Sequence, residues 1–157
     1  MRYSYKKALG VLTEWANKEG FEDISLDYEG MSEIDWIDNS LNEPKHIKIE
    51  GNYSSEIKTY TMLHELGHHQ LRKDWKAFYN ILPAAAHAEK KFIMNNELKY
   101  KRRVSYTVAC MEEEFKAWDE GFKLAEKLGI KINLKKWNSF KTKCLITYIR
   151  YYGTIHS

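Results

Sequence analysis

The segment His64-Glu65-Leu66-Gly67-His68 places two histidines four residues apart, with a glutamate directly after the first. In an α-helix, residues four apart lie on the same face, one turn above each other. Both imidazoles can then bind one metal ion, and Glu65 lies beside a water molecule that the ion activates. The spacing therefore predicts a helix whose histidine face is turned toward further donor groups.

The residues around this segment favour a helix over 54–72. Ser54 and Ser55 can cap its start, and Glu56 complements the positive end of the helix dipole. Apolar residues share the histidine stripe at steps of three and four, namely Ile57, Tyr60 and Leu71. The stripe should point inward. Two core histidines satisfied by ordinary hydrogen bonds are the alternative, but the glutamate between them favours the metal site.

Length and composition fit one domain over residues 1–157, large enough to bury a core. The first 20 residues form an amphipathic, charged segment and not an apolar leader, and no apolar run is long enough to cross a membrane. The two cysteines, Cys110 and Cys144, have neither metal-site spacing nor a disulfide-rich setting. We expect a reduced, cytoplasmic protein.

The N-terminal third predicts a helix followed by a small sheet. Ser4 can cap a helix within residues 1–20, which Gly20 ends and whose inward residues are Ala8, Leu9, Leu12, Trp15 and Ala16. Alternating patterns at 24–28, 34–38 and 46–50 predict three short strands, forming an antiparallel sheet over 24–50. The fold class expected is α+β, with a mostly helical C-terminal half.

Residues 83–157 form this helical part. Pro83 suits the first position of a helix running to about residue 98. A second helix is expected at about 105–128, ending at Gly129, and a last one at about 134–151. The predicted core stripe of the second helix consists of Val108, Met111, Phe115, Trp118, Phe122 and Ala125.

A catalytic zinc site usually takes a third protein ligand, and the run Glu112-Glu113-Glu114 can supply it. Glu114 shares a helix line with small residues, Cys110, Ala117 and Gly121, which let another helix approach closely. Glu112 and Glu113 line up with charged residues on faces expected to meet solvent. We therefore predict Glu114 as the ligand, with Glu113 as the main alternative if the helix is turned by one residue.

One zinc ion on His64, His68 and Glu114 would suit hydrolysis of peptide bonds through a metal-activated water, with Glu65 as general base. A protein or peptide substrate could add as a strand to residues 46–50 if these lie at the edge of the sheet. Tyr106 or Tyr100 could stabilise the oxyanion. Two imidazoles and one carboxylate also accept other divalent ions.

The remaining histidines show no ligand spacing. His69 is rotated by about 100° from His68 and should lie beside the ligands or in solvent. His46, His87 and His156 have no spaced partner. Cys110, one turn from Glu114, could approach the metal, but we expect a packed thiol.

Charge is distributed unevenly along the chain. Residues 21–44 hold eight acidic side chains and no lysine or arginine, whereas residues 121–157 hold eight basic side chains and one acid, Glu126. The alternative to the enzyme is therefore a non-catalytic zinc-containing regulatory module that binds an acidic protein or nucleic acid through its basic C-terminal helices. No recognised nucleic-acid-binding motif accompanies the charge. The intact Glu65 favours the enzyme, because a purely structural site does not need a base.

The run from Thr61 to His69, the downstream Glu113-Glu114-Phe115-Lys116-Ala117-Trp118 and the preceding sheet resemble the minimal gluzincin metallopeptidases, including ImmA/IrrE-like and small phage-type proteins. The resemblance covers about residues 46–128. It implies a zincin-like active-site helix, zinc on His64, His68 and Glu114, and Glu65 as base. Two features depart from it: Trp118 stands where larger gluzincins carry an aspartate, and the final helix has no counterpart.

Overall fold

The computed structural model describes residues 3–35, 45–87, 90 and 104–155. The first helix, α1 (Tyr5–Lys18), leads into strands β1 (Phe21–Tyr28), β2 (Glu33–Asp35) and β3 (Lys45–Glu50). Helices α2 (Ser55–Arg72) and α3 (Trp75–Ile81) follow, and residues 83–87 continue as helix α4. The long helices α5 (Val104–Lys127) and α6 (Leu134–Ile155) complete the described chain. The predicted α+β class is confirmed.

Local signals set the helix starts and ends as predicted. Ser4 accepts a hydrogen bond from the backbone of Lys7, and Ser54 accepts one from Ile57. Gly20 and Gly129, just beyond α1 and α5, have positive φ angles of 92° and 67°, which glycine adopts without steric cost. The expected inward residues of α1 are buried, except that Trp15 is only partly so. The predicted helix at 83–98 is described at residues 83–87 and 90, which are helical, and its other residues lie outside the described residues.

The sheet is mixed, so the prediction of an antiparallel sheet is wrong. Its strand order is β1-β3-β2, with β1 parallel to β3 and β2 antiparallel to β3. An alternating pattern shows which face of a strand is buried, but it is the same for either pairing direction. Ile47 and Ile49 of β3 are fully buried. Among the described strands, β3 is central and β2 forms an edge. Strand addition at residues 46–50 is excluded by the same finding.

Helices α2 and α5 approach each other at backbone contact. A Cβ atom added to Gly67 would collide with the carbonyl oxygen of Ala117, and one added to Gly121 would collide with that of Leu63. The line of small residues predicted on α5 therefore does face α2. This contact fixes the distance between the two helices more firmly than interlocking side chains would, because backbone atoms cannot change rotamer.

The rest of the predicted core stripe of α5 is partly wrong. Trp118 and Ala125 are buried, but Val108 is 59% and Phe115 45% exposed. The face that meets α2 instead carries Ala109, Glu113, Ala117 and Gly121. Because the two helices are so close, only small side chains fit at their contact, and the larger apolar ones lie on other faces of α5. Hydrophobic periodicity alone does not show which face is in contact.

Helix α6 lies beside α5, and its first turn contacts the N-terminal half of α2, where the rings of Trp137 and Tyr60 lie 5.3 Å apart. Trp137 is 3% exposed and its ring packs edge-to-face on Trp118, with the centroids 5.0 Å apart. The helix extends four residues beyond the predicted end at about 151. Within the described ranges, no helix has the length and apolar composition needed to cross a membrane.

Candidate metal centre

His64 and His68 lie one turn apart on the inward face of α2, as the spacing predicts. They are 5% and 7% exposed, and their ring centroids are 4.7 Å apart at an interplanar angle of 72°. The neighbouring residues of α2 that face the core are apolar, including Leu63 and Leu66, both fully buried. Burial of the apolar residues therefore holds the two imidazoles away from bulk water.

Glu114 of α5 meets both histidines. Its Oε2 lies 3.1 Å from Nε2 of His64, and its Oε1 lies 3.5 Å from Nε2 of His68. One donor atom from each of the three side chains falls within 4.8 Å of the others, so the group could hold a metal ion. The structure thus brings together the three residues that were predicted from the sequence as metal ligands, two from α2 and one from α5.

These distances suit a tetrahedral ion. Donor atoms about 2.0–2.1 Å from a tetrahedral zinc lie about 3.4 Å from one another, and the two separations, one from each oxygen of Glu114, are of similar size. Glu114 Oε2 is buried and, among the described residues, has no hydrogen-bond partner, despite the short distance to His64. An oxygen removed from water without a partner is costly unless a cation completes its environment. The donor set therefore fits a metal ion.

Glu113 was predicted to face solvent, and this is wrong: it is 6% exposed. Its Oε1 lies 3.1 Å from Nδ1 of His68, and Arg72 binds both of its oxygens, through Nε at 2.6 Å and Nη2 at 2.7 Å. The Arg72 guanidinium itself stacks over Phe78, 4.9 Å from the ring centroid. Arg72 is partly buried, so its guanidinium group needs a carboxylate partner. Its position one turn after His68 was the sequence signal that the prediction for Glu113 missed.

The charges of this cluster reinforce one another. Burial alone would lower the pKa of His68, but its contacts with Glu113 and Glu114 raise it to about 10. Burial would raise the pKa of Glu114, yet the two histidines lower it to about 2. With Nδ1 of His68 held by Glu113, its Nε2 is directed at Glu114, the arrangement that a metal-binding histidine requires.

His64 is held differently. Its ring stacks on Trp118, with centroids 4.4 Å apart and an interplanar angle of 20°. Its Nδ1 is buried and has no hydrogen-bond partner in the described part of the chain. Because Nδ1 has no carboxylate partner, stacking against a fully buried indole, together with the contact of Nε2 with Glu114, fixes the orientation of this imidazole. Trp118, four residues after Glu114, therefore positions the imidazole ring of His64.

Glu65 is partly buried and lines two adjoining cavities that together form a cleft over the histidines. Removal from water raises the pKa of its carboxyl group, while positive charge on His64 and His68 opposes the rise. A carboxyl group with a raised pKa is suited to exchanging protons near neutral pH. Glu65 thus faces the same open space as the three candidate ligands.

Among the described tyrosines, Tyr148 lines both cavities of this cleft, whereas Tyr53 and Tyr152 line one each. Tyr148 lines them together with Glu65, whereas Tyr106 lines neither and Tyr100 lies outside the described residues. Burial, followed by the negative charges of Glu114 and Glu65, raises the pKa of Tyr148, so its hydroxyl stays protonated. Tyr148 lies on α6, and no spacing in the sequence connects it with the histidines of α2, so the sequence held no signal for its position.

The other histidines are not part of the cluster where the structure describes them. His69 is buried but pairs with Glu19, Nε2 to Oε2 2.9 Å, and not with the ligand group. His46 lies 3.3 Å from Glu33 at the surface of the sheet, and His87 is exposed. His156 lies outside the described residues. Cys110 lines the cleft beside Glu114 without joining the three-residue group, and burial raises the pKa of its thiol.

Comparisons with protein-family models, curated proteins and solved structures give no match to this chain. The resemblance to gluzincins consequently depends on the motif residues themselves.

Proposed function

We propose that the protein is a zinc-dependent metallopeptidase of the minimal gluzincin type. One observation carries this proposal: Glu65 opens onto the same cleft as a buried group of two histidines and one glutamate. A metal site that only stabilises a fold is closed by four protein ligands, whereas a catalytic site has three and a neighbouring acid–base group. The arrangement of these four side chains corresponds to the second kind.

His64, His68 and Glu114 would hold the ion. When bound, zinc would polarise the carbonyl group of the substrate and lower the pKa of water toward about 7. The chain supplies the geometry: α2 presents the two imidazoles, Glu113 orients His68, and Trp118 orients His64. Zinc is favoured because two imidazoles and a carboxylate at these separations match its tetrahedral preference.

Glu65 would act as the general base. It lies next to His64 in sequence but on another part of the helix surface, so it can take a proton from the attacking water without displacing a ligand. The same carboxyl group can then donate this proton to the leaving amine. Its raised pKa supports both roles, because a carboxyl group that is too acidic returns a proton poorly.

Two further elements complete the proposed site. The protonated hydroxyl of Tyr148 can donate a hydrogen bond to the oxygen on which negative charge develops. Ser32 and the first two residues of β2, Glu33 and Ile34, border the cleft, and among the described strands β2 has no neighbour on the side away from β3. An extended peptide can add to this edge, which replaces residues 46–50 as the expected place of strand addition.

The test begins with metal content. Purified protein loaded with zinc should contain one equivalent by elemental analysis, and His64→Ala should retain little. The loaded protein is then incubated with a peptide library in which mass spectrometry identifies the products. Cleavage that a chelator abolishes and added zinc restores would support the proposal. One bound zinc without cleavage of any peptide, together with salt-sensitive DNA binding, would instead support the regulatory module.

Glu113→Gln should weaken zinc binding without changing its stoichiometry. Loss of the charge that orients His68 is expected to reduce the affinity about 10- to 100-fold, the usual effect of removing a group that holds a ligand. Competition with a chromophoric chelator measures this affinity. Glu112→Gln is the matched control, since Glu112 is the exposed neighbour and should leave binding unchanged. An affinity equal to that of the unaltered protein would contradict the assigned role of Glu113.

A further inference from the structure

A cavity of about 200 Å³ lies beside His64 and Glu65, and residues without a part in the proposed chemistry line its other sides. We call it the side pocket. Its distinctive lining consists of Met31, Tyr53, Phe140, Cys144 and Thr147. Three of these residues belong to α6, the helix that the gluzincin resemblance does not cover. The side pocket is therefore a feature of this chain and not of the motif.

Aromatic rings give the side pocket its walls. The Phe140 ring lies 5.8 Å from that of Trp118 and 5.8 Å from that of Tyr53, in edge-to-face arrangements at 81° and 83°. Trp118 is 1% exposed and stacks on His64, so this wall is continuous with the candidate metal centre. Burial raises the pKa of the Cys144 thiol to about 11, which leaves an uncharged, polarisable surface.

The aliphatic hydroxyl groups around the side pocket already bond to the backbone. Thr61 donates to the carbonyl of Ile57 at 2.9 Å, and Thr147 donates to that of Lys143 at 3.1 Å. Ser32 Oγ accepts a hydrogen bond from the backbone nitrogen of Glu50 at 2.9 Å. A polar group placed beside the two threonines would lose water and gain little in return, whereas an apolar group would gain from leaving water.

We infer that the side pocket binds a large apolar side chain, aliphatic or aromatic, of the residue adjoining the cleaved peptide bond. This inference depends on the proposed function for the position of that bond beside Glu65. The volume is suitable, because an apolar cavity of about 150 Å³ admits benzene. The carboxylates of Glu50 and Glu65 border the cavity and exclude an acidic side chain through like-charge repulsion.

A panel of amino-acid hydroxamates tests the inference without requiring cleavage. The hydroxamate group binds the zinc of the loaded protein, and the attached side chain reports on the pocket. The leucine and phenylalanine compounds should bind about 10- to 100-fold more tightly than the alanine compound, as burial of such side chains implies. The aspartate compound should bind most weakly.

Thr147→Trp should remove this preference, because the indole would fill the mouth of the side pocket. Thr147 is exposed on α6, so the substitution leaves the core intact. Ile146→Trp is the control: Ile146 is 40% exposed, precedes Thr147 on the same helix and lies outside the pocket lining, so the preference should persist. Thermal unfolding of both variants checks that they are folded.

Equal affinity for the alanine and phenylalanine compounds would overturn the inference, as would an unchanged preference in Thr147→Trp. Tightest binding of the lysine compound, lost in Glu50→Gln, would also overturn it and identify a basic specificity. Cleavage of library peptides with no preference for apolar residues would contradict this inference but would support the proposed peptidase activity. A clear preference for apolar hydroxamates without cleavage of any peptide would contradict the peptidase proposal but would support binding of an apolar side chain in the side pocket.

Discussion

Replacing Glu65 by glutamine is expected to eliminate measurable peptide cleavage while zinc content stays at one equivalent. The amide has nearly the shape of the carboxylate but cannot accept the proton of the attacking water, and loss of a general base reduces rates by about 10²- to 10⁴-fold. Elemental analysis and product formation from a cleaved library peptide, measured on the same preparation, separate binding from chemistry.

Glu112→Gln provides the matched control for this experiment. Glu112 is an exposed glutamate on α5, two residues before Glu114, and the same change of charge there should leave cleavage intact. If Glu65→Gln cleaves at the rate of the unaltered protein, Glu65 is not the base. Loss of zinc in Glu65→Gln would show instead that the substitution disturbs the ligands.

Gly67→Ala is expected to destabilise the fold severely, by about 3 kcal/mol or more. The new methyl group would lie against the carbonyl of Ala117, 2.8 Å from its carbon atom, where only backbone movement can make room. Separating α2 from α5 would also move Glu114 away from His64 and His68. We therefore expect a lower midpoint of denaturant unfolding and weaker zinc binding in the same variant.

Gly10→Ala separates this steric effect from the ordinary preference of helices for alanine. Gly10 lies within α1, is exposed and has no neighbouring atom within 4 Å of an added Cβ. The substitution there should raise stability by about 0.5–1 kcal/mol, because alanine loses less conformational freedom than glycine in a helix. If Gly67→Ala behaves like Gly10→Ala, α2 and α5 do not meet at backbone contact.

The parts of the candidate site that depend on local spacing could be predicted from the sequence. Two histidines four residues apart must share a helix face, and serine and glycine marked where the helices begin and end. The meeting of Glu114 with the histidines was predicted from the small residues on its helix line. That prediction succeeded because close helix packing leaves a recognisable composition, even between segments far apart in the chain.

The parts that depend on which elements meet could not be predicted. Whether β1 runs parallel or antiparallel to β3 depends on how the strands are arranged in the sheet, and an alternating pattern does not encode this arrangement. Glu113 was placed in solvent because its own helix surrounds it with charged residues, while its true partner, Arg72, comes from α2. Tyr148 was missed as a cleft residue because no spacing rule connects α6 to the histidines of α2.

Most of the reacting groups and much of the lining of the side pocket come from different elements, and this has a practical consequence for engineering. Apart from Tyr148, the groups proposed to take part in the reaction come from α2 and α5, which are in backbone contact at their glycines, while much of the side pocket is lined by the segment before β2 and by α6. Selectivity and reactivity are therefore encoded largely by different stretches of the chain. A combinatorial library confined to the side-pocket residues of these two segments other than Tyr148 could redirect selectivity and leave the reacting groups unchanged.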